Sequence, residues 1–279
     1  MNTFAYKTQE RKQEVYKAYD SFLNKIRIPY EEIYVDTRFG KAYVIAYGEK
    51  DLPVLVLLHG SGFNSIMWIR DMEQYSKNYR VYAVDLQGEP GKSDDKQLPF
   101  AGSDFESWLH DVFEGLKVQK AAIGGISLGA WLALKFAIAF PAMTEKLVLL
   151  CPAGVGTQRK SFLFKALFHT IMGEKGIERL YRQVNGGKPI PQEMLDYQKL
   201  LGKNFNFRKE VIPLFSDEQL KQLKMPSVLF VGEKDVMLHS LESAERFTRL
   251  VPNAKVNVLK GEGHSLVGLT GEIEEFLKE

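Results

Sequence analysis

The sequence predicts an α/β protein with a mostly parallel central sheet of about eight strands, flanked by helices. Short apolar runs alternate with stretches of helical periodicity along most of the chain, and such alternation requires crossover connections between parallel strands. The alternation stops over residues 152–213, where helical patterns and Gly and Pro breakers replace strands. We therefore predict a core of residues 27–151 and 214–279, with a helical cap at 152–213 inserted after the sixth strand.

The N-terminal part of the chain predicts a helix followed by a hairpin. Residues 8–26 carry apolar side chains at helical spacing among Lys, Glu and Gln, so that residues 1–26 form an N-terminal amphipathic helix. We expect this helix to pack on the core, although it could instead cover the entrance of a site. Residues 31–36 and 41–47, separated by Phe39-Gly40, predict two antiparallel strands.

The later elements follow from apolar runs and helical periodicity. The predicted strands are 53–58, 80–84, 121–124, 146–150, 227–232 and 255–259. The predicted helices are 67–78, 105–115 and 128–140 in the core, and 161–172, 177–183 and 192–201 in the cap.

A serine between two glycines lies where a predicted strand meets a predicted helix. The motif is Gly125-Ile126-Ser127-Leu128-Gly129. Small neighbours let the backbone bend tightly and expose the hydroxyl, as in a strained strand-to-helix turn. Ser127 is therefore the candidate nucleophile.

Three further segments place polar groups just beyond predicted strands. The turn His59-Gly60-Ser61-Gly62 follows strand 53–58 and can direct backbone N–H groups into a site. Asp235 follows strand 227–232, at the sheet edge where open parallel sheets collect functional groups, and is the candidate acid. His264 follows strand 255–259 between small residues and is the candidate base.

Each of these assignments has a competitor in the sequence. Glu233 lies in the same turn as Asp235, and His239 follows Asp235 by four residues. The remaining histidines, His59, His110 and His169, lie in the upstream turn, in a helix and in the cap.

On these motifs the chain resembles the α/β-hydrolase superfamily, and within it the capped carboxylesterase-like serine hydrolases. The resemblance covers residues 31–279 and implies a triad in the order Ser127, Asp235, His264. His264 would accept the serine proton, and Asp235 would orient the imidazole. The backbone N–H groups of Leu128 and Ser61 would form the oxyanion hole, with Gly62 or Phe63 as alternatives for the second donor.

The resemblance implies a hydrolase of small-molecule carboxylic esters that uses an acyl-enzyme intermediate, no cofactor and no metal. The same triad would also serve an acyltransferase, an amidase or peptidase, or a C–C hydrolase. A weakly catalytic binding protein with the same fold is a further alternative.

Composition argues against several other classes. The formal charge of +2 gives no global field for nucleic acid or a membrane surface. Residues 1–22 are charged throughout, and no apolar run is long enough to cross a bilayer, so we expect a cytoplasmic monomer or homodimer. The single Cys151 has no disulfide partner within the chain. The segment Gly91-Lys92-Ser93 lacks the earlier glycine of a phosphate-binding loop.

The predicted cap has two features of unassigned purpose. It contains eleven Lys or Arg residues and five acidic residues, which could attract an anionic substrate or form a solvated face. Its apolar side chains could line an acyl pocket or form the cap's own core. They are Phe162, Leu163, Phe164, Leu167, Phe168, Ile171 and Met172.

Overall fold

The computed structural model describes residues 4–162, 168–169, 172–208 and 210–279, and its centre is an eight-stranded sheet in the order β1-β2-β4-β3-β5-β6-β7-β8. The β1–β2 and β2–β4 pairs are antiparallel, and every later pair is parallel. The strands are β1 Tyr30–Thr37, β2 Gly40–Tyr47, β3 Val54–Leu58, β4 Arg80–Val84, β5 Ala121–Ile126, β6 Thr144–Leu150, β7 Ser227–Gly232 and β8 Ala254–Leu259. The predicted fold class and the N-terminal hairpin are confirmed.

Helices cover both faces of this sheet. They include α1 Gln9–Leu23, α2 Met72–Tyr75, α3 Asp104–Gly115, α4 Leu128–Ala139, α5 Gly173–Val184, α6 Gln192–Asn204, α7 Asp217–Leu220, α8 Ser240–Leu250 and α9 Thr270–Lys278. Short 3₁₀ helices occupy Ser65–Trp68 and Pro141–Met143.

The core has two layers because successive strand side chains point to opposite faces. On β3, Val56 and Leu58 belong to the layer that includes side chains of α3, α4 and α8, whereas Leu55 and Leu57 belong to the layer that includes side chains of α1, α2 and α9. Both faces of a parallel sheet are thus buried, which explains why its strands are apolar without alternation. The sheet's carboxyl edge remains for polar groups.

The N-terminal helix α1 packs against the second of these layers. Thr8 caps it by accepting a hydrogen bond from the N–H of Arg11, and the helix ends at Leu23, three residues before the predicted end. Tyr19 is fully buried and donates its hydroxyl to Asp85 at 3.1 Å. The helix also contacts α6 of the cap region, so it joins core and cap.

Strands β4 and β7 have the predicted bounds, and each of the other strands differs from its predicted bounds by one or two residues at an end. Strand β5 continues two residues further, through Gly125 to Ile126, because the buried sheet supports a glycine that has weak strand propensity. The single helix predicted over 67–78 is wrong: a 3₁₀ turn and the one-turn helix α2 replace it. The side chain of Asn64 caps the first turn by accepting from the N–H of Ile66.

Between β6 and β7 the described residues form helices and irregular backbone. Helices α5 and α6 correspond to the predicted 177–183 and 192–201, each with additional residues. Much of the predicted helix 161–172 lies outside the described residues. Residues 153–155 are buried in the core rather than in the cap. No described helix is long and apolar enough to cross a membrane.

Candidate functional site

Ser127 occupies a strained turn between β5 and α4. Its φ of +53° lies in the left-handed region, which costs a non-glycine residue about 1–2 kcal/mol. Backbone hydrogen bonds hold the turn: its N–H donates to Leu150 at 2.9 Å, and its carbonyl accepts from Trp131 at 3.0 Å and Ala153 at 3.2 Å. The serine is half-buried. The surrounding sheet thus stabilises the conformation that the Gly-x-Ser-x-Gly motif predicts.

Two glycines of the motif let backbone segments come into close contact. A Cβ on Gly125 would overlap the backbone of Gly129, and a Cβ on Gly129 would overlap the carbonyl oxygens of Leu58 and His59. Helix α4 therefore begins directly against the end of β3. Only glycine leaves room for this contact.

We predict that Gly129→Ala lowers the free energy of unfolding by about 1–3 kcal/mol or more, because rigid backbone rather than a flexible side chain occupies the space. Chemical denaturation followed by circular dichroism measures the change. The control is Gly271→Ala in α9, where no atom lies within 4 Å of the added Cβ, and there we expect no loss. Equal stability of the two variants would contradict the close contact.

Asp235 and His264 form a buried hydrogen-bonded pair. Their side chains meet at 2.7 Å, between Asp235 Oδ2 and His264 Nδ1, and the two residues are 3% and 6% exposed. The other carboxylate oxygen of Asp235 accepts from the N–H groups of Met237 at 2.7 Å and Leu238 at 2.9 Å. Among the described residues, His264 Nε2 is buried and has no hydrogen-bond partner. The imidazole is thus oriented on one side and unoccupied on the other.

The pair shifts both pKa values toward the charged forms. Burial raises the pKa of Asp235. The adjacent His264 and the two N–H donors together lower it by more than burial raises it, so that this pKa lies below its ordinary value. Burial lowers the pKa of His264, but the Asp235 carboxylate raises it more, so that it lies above its ordinary value. The carboxylate therefore stabilises an imidazolium at this position.

Cys151 connects the pair to the serine turn. Its Sγ and the nearest side-chain ligand atoms of Asp235 and His264 all lie within 4.8 Å of one another. Its two neighbouring segments bind Ser127, since Leu150 accepts from the serine N–H and Ala153 donates to the serine carbonyl. Ser127, Asp235 and His264 thus follow the carboxyl ends of β5, β7 and β8, at the same edge of the sheet.

The same three residues, Cys151, Asp235 and His264, offer atoms that can bind metal ions. However, Asp235 and His264 are 2.7 Å apart, whereas two ligands of a tetrahedral zinc ion lie about 3.3 Å apart. A metal would have to break their hydrogen bond. The observed geometry is that of an acid–base pair.

The turn after β3 lies beside Ser127. A Cβ on Gly60 would be 3.8 Å from Ser127 Cβ. Gly62 donates its N–H to the carboxylate of Glu89 at 2.6 Å, so this group is already satisfied. Leu128 is the first residue of α4, where N–H groups have no acceptor within the helix. This arrangement favours Ser61 over Gly62 as the partner of Leu128.

The other histidines have different environments. His59 is fully buried; it accepts from the N–H of Leu86 at 2.8 Å and contacts the carbonyl of Gly60 at 2.8 Å. Burial lowers its pKa, which favours the neutral imidazole that these two bonds require.

The remaining histidines lie elsewhere. His239 is exposed at the start of α8. His110 lies against Phe140, and His169 is buried.

The cap holds the loop that carries His264, a contact that sequence reasoning missed. The N–H of His264 donates to the carbonyl of Val184, the last residue of α5, at 2.8 Å. Gly186 also packs closely on Gly263, and Lys188 forms an ion pair with Glu262. Part of the basic surplus of the cap therefore binds acids of the core. The glycines on both sides of this contact were its only sequence signal.

The apolar residues predicted for the cap are only partly described. Leu163, Phe164, Leu167 and Ile171 lie outside the described residues, while Phe168 and Met172 are exposed by 60% and 47%. A cavity of about 310 Å³ lies between the ends of α1 and α6, near Phe22 and Met194. The residues described as lining it do not include Ser127, Asp235 or His264.

The sheet topology, the strained serine turn and the acid–base pair define a hydrolase with a helical insertion after β6. The chain belongs to the alpha/beta hydrolase family, whose sequence profile matches residues 55–274.

Relatives of known name support an esterase-type hydrolase. The chain is 32% identical over 259 residues to carboxylesterase YbfK of Bacillus subtilis, covering 90% of this chain and 87% of the relative. Compared with the crystal structure of carboxylesterase CesB (YbfK) from Bacillus subtilis, this chain has a TM-score of 0.83 and 31% sequence identity, and the match covers 96% of each chain. Naproxen esterase (carboxylesterase NP) from Bacillus subtilis has a TM-score of 0.84, 28% identity and 98% coverage of both chains.

Proposed function

We propose that this protein is a carboxylesterase that hydrolyses small-molecule esters through Ser127, His264 and Asp235. The observation that carries the proposal is the buried Asp235–His264 hydrogen bond of 2.7 Å, with an unpartnered Nε2 at the same sheet edge as the strained Ser127. The carboxylesterases among its relatives support the same conclusion.

The reaction follows from the acidity of the groups. A serine hydroxyl is a poor nucleophile until a base removes its proton. His264 Nε2 accepts that proton as Ser127 Oγ attacks the ester carbonyl, and Asp235 stabilises the imidazolium. The imidazolium then protonates the leaving alcohol. Water attacks the acyl-enzyme with the same histidine as base and releases the acid.

The N–H groups of Leu128 and Ser61 stabilise the oxyanion that forms in both steps. Each such donor contributes about 3–4 kcal/mol to transition-state stabilisation. The proposed substrate is a small ester. The proposal also includes a monomer or homodimer as the oligomeric state. The proposal includes a cytoplasmic location, in keeping with a single, buried cysteine.

Two assays test the proposal. We expect hydrolysis of p-nitrophenyl acetate, butyrate and octanoate, together with labelling of Ser127 by a fluorophosphonate probe, read by mass spectrometry of the labelled peptide. The acyl-chain profile then reports the size of the acyl pocket. Labelling without ester turnover would favour a transferase or a binding protein. A protein that neither reacts with the probe nor cleaves any ester would contradict the proposal.

A further inference from the structure

A buried glutamate contacts the turn that carries Ser61. Glu89 follows β4, and its side chain is 0% exposed. Its Oε2 accepts from the Gly62 N–H at 2.6 Å and from the Ser61 hydroxyl at 3.3 Å. One carboxylate oxygen therefore binds two consecutive residues of the turn. A carboxylate without water requires such donors, and also an opposite charge.

The opposite charge comes from the segment that precedes β7, 119 residues away in the chain. Arg208 Nε donates to Glu89 Oε1 at 3.1 Å, and the arginine side chain is 6% exposed. Its other nitrogens donate to the carbonyls of Leu98 and Gln87. All three nitrogens of the guanidinium thus have acceptors, which fixes the plane of the group.

Aromatic contacts hold the same group from the side. The guanidinium carbon of Arg208 lies 5.0 Å from the ring centre of Phe100 and 5.4 Å from that of Phe105. The preceding residue, Phe207, lies against the turn itself, since a Cβ on Gly62 would be 2.7 Å from its ring. Gly62 has a φ of +71°, a backbone conformation that residues other than glycine adopt only with strain.

We propose that Glu89 is a positioning residue for the oxyanion hole, held in place by Arg208, so that the segment at 207–208 fixes the direction of the Ser61 N–H. Glu89 binds the Ser61 hydroxyl, which holds the side chain of Ser61. It also binds the Gly62 N–H, which holds the peptide group between Ser61 and Gly62. Among the described residues the Ser61 N–H has no hydrogen-bond acceptor, so it is available to an oxyanion formed at Ser127. Such donors stabilise a transition state only when held within about 0.5 Å of the required position. The inference rests on the proposed esterase function.

The test is Glu89→Gln. Glutamine has one acceptor oxygen, so it cannot serve both Arg208 and the turn as the two carboxylate oxygens do. We expect kcat to fall by about 10- to 100-fold, less than the roughly 10²- to 10³-fold loss for outright removal of a donor. We expect KM to change by less than about twofold, because the oxyanion forms only in the transition state. The inhibition constant of a trifluoromethyl ketone, whose adduct carries an oxyanion, should rise in parallel with the loss of kcat.

The matched control is Glu106→Gln. Glu106 on α3 is also a buried glutamate in an ion pair, and its carboxylate accepts from Lys135 at 2.6 Å rather than from the turn at Ser61. We expect a similar loss of stability with unchanged kcat and unchanged inhibitor binding. If Glu89→Gln does not fold, Arg208→Lys replaces it, since lysine keeps the charge without the planar donors. We expect the same parallel loss of kcat and of inhibitor binding from that variant.

The outcomes separate the two proposals. Wild-type protein without esterase activity contradicts the proposed function. Active wild-type protein, with kcat and ketone inhibition in Glu89→Gln or Arg208→Lys equal to those of Glu106→Gln, contradicts the positioning role alone.

Discussion

Ser127→Ala is expected to reduce ester turnover by at least about 10⁴-fold, because the change removes the hydroxyl that forms the acyl-enzyme. The fold should persist, since alanine keeps the Cβ and the backbone bonds of the turn to Leu150, Trp131 and Ala153. Steady-state kinetics and thermal unfolding measure the two effects. Fluorophosphonate labelling should disappear in the same variant.

Ser107→Ala is the matched control for this change. Ser107 is a half-buried serine on α3, and its N–H donates to the carbonyl of Ser103 in the same helical turn rather than to a group of the site. We expect its activity and labelling to equal those of the wild type. Retention of full ester turnover by Ser127→Ala would show that another residue is the nucleophile.

Asp235→Asn is expected to lower kcat/KM by about 10³- to 10⁴-fold, because an amide neither holds the required tautomer of His264 nor stabilises the imidazolium. It should also shift the pH profile. The base must be neutral to accept a proton, so activity is lost as the pH falls through the pKa of His264. Asp235 raises that pKa, and the wild-type acid limb should therefore lie above the ordinary histidine value of about 6.5. In the variant it should move to lower pH.

Glu233→Gln distinguishes the two carboxylates of the same turn. Glu233 is exposed, and its carboxylate accepts from the N–H of Gly261 at 2.9 Å rather than from the imidazole. We expect nearly wild-type kcat/KM and an unshifted pH profile. A large loss in this variant, with little loss in Asp235→Asn, would reverse the assignment of the acid.

The sequence predicted the elements whose local pattern is unambiguous. Strands β4 and β7 have the predicted bounds, and each is built on a run of apolar residues, 81–84 and 228–231, as strands covered on both faces require. The serine turn was also predicted, because its glycines have a steric purpose that a short motif expresses. In contrast, the predicted helix over 67–78 is two short turns, since side-chain capping by Asn64 competes with helical periodicity.

Contacts between distant segments were not predictable in this way. Glu89 occupies a loop that the sequence marks only as a turn, and nothing near it in the chain indicates Arg208. The bond between His264 and the end of α5 likewise joins residues 80 apart whose own neighbours have no matching pattern. A single sequence carries periodicity and motif spacing, but pairing between remote side chains depends on how the elements pack.

The sequence by itself determined the alternating α/β architecture, the serine turn and the candidates Asp235 and His264, because backbone conformation and burial act over a few neighbouring residues. Only the tertiary structure decided that Asp235 rather than Glu233 meets the imidazole, and that Glu89 and Arg208 hold the turn at Ser61. These choices depend on distances across the sheet edge, where groups far apart in the chain satisfy one another's charge and hydrogen bonds away from water.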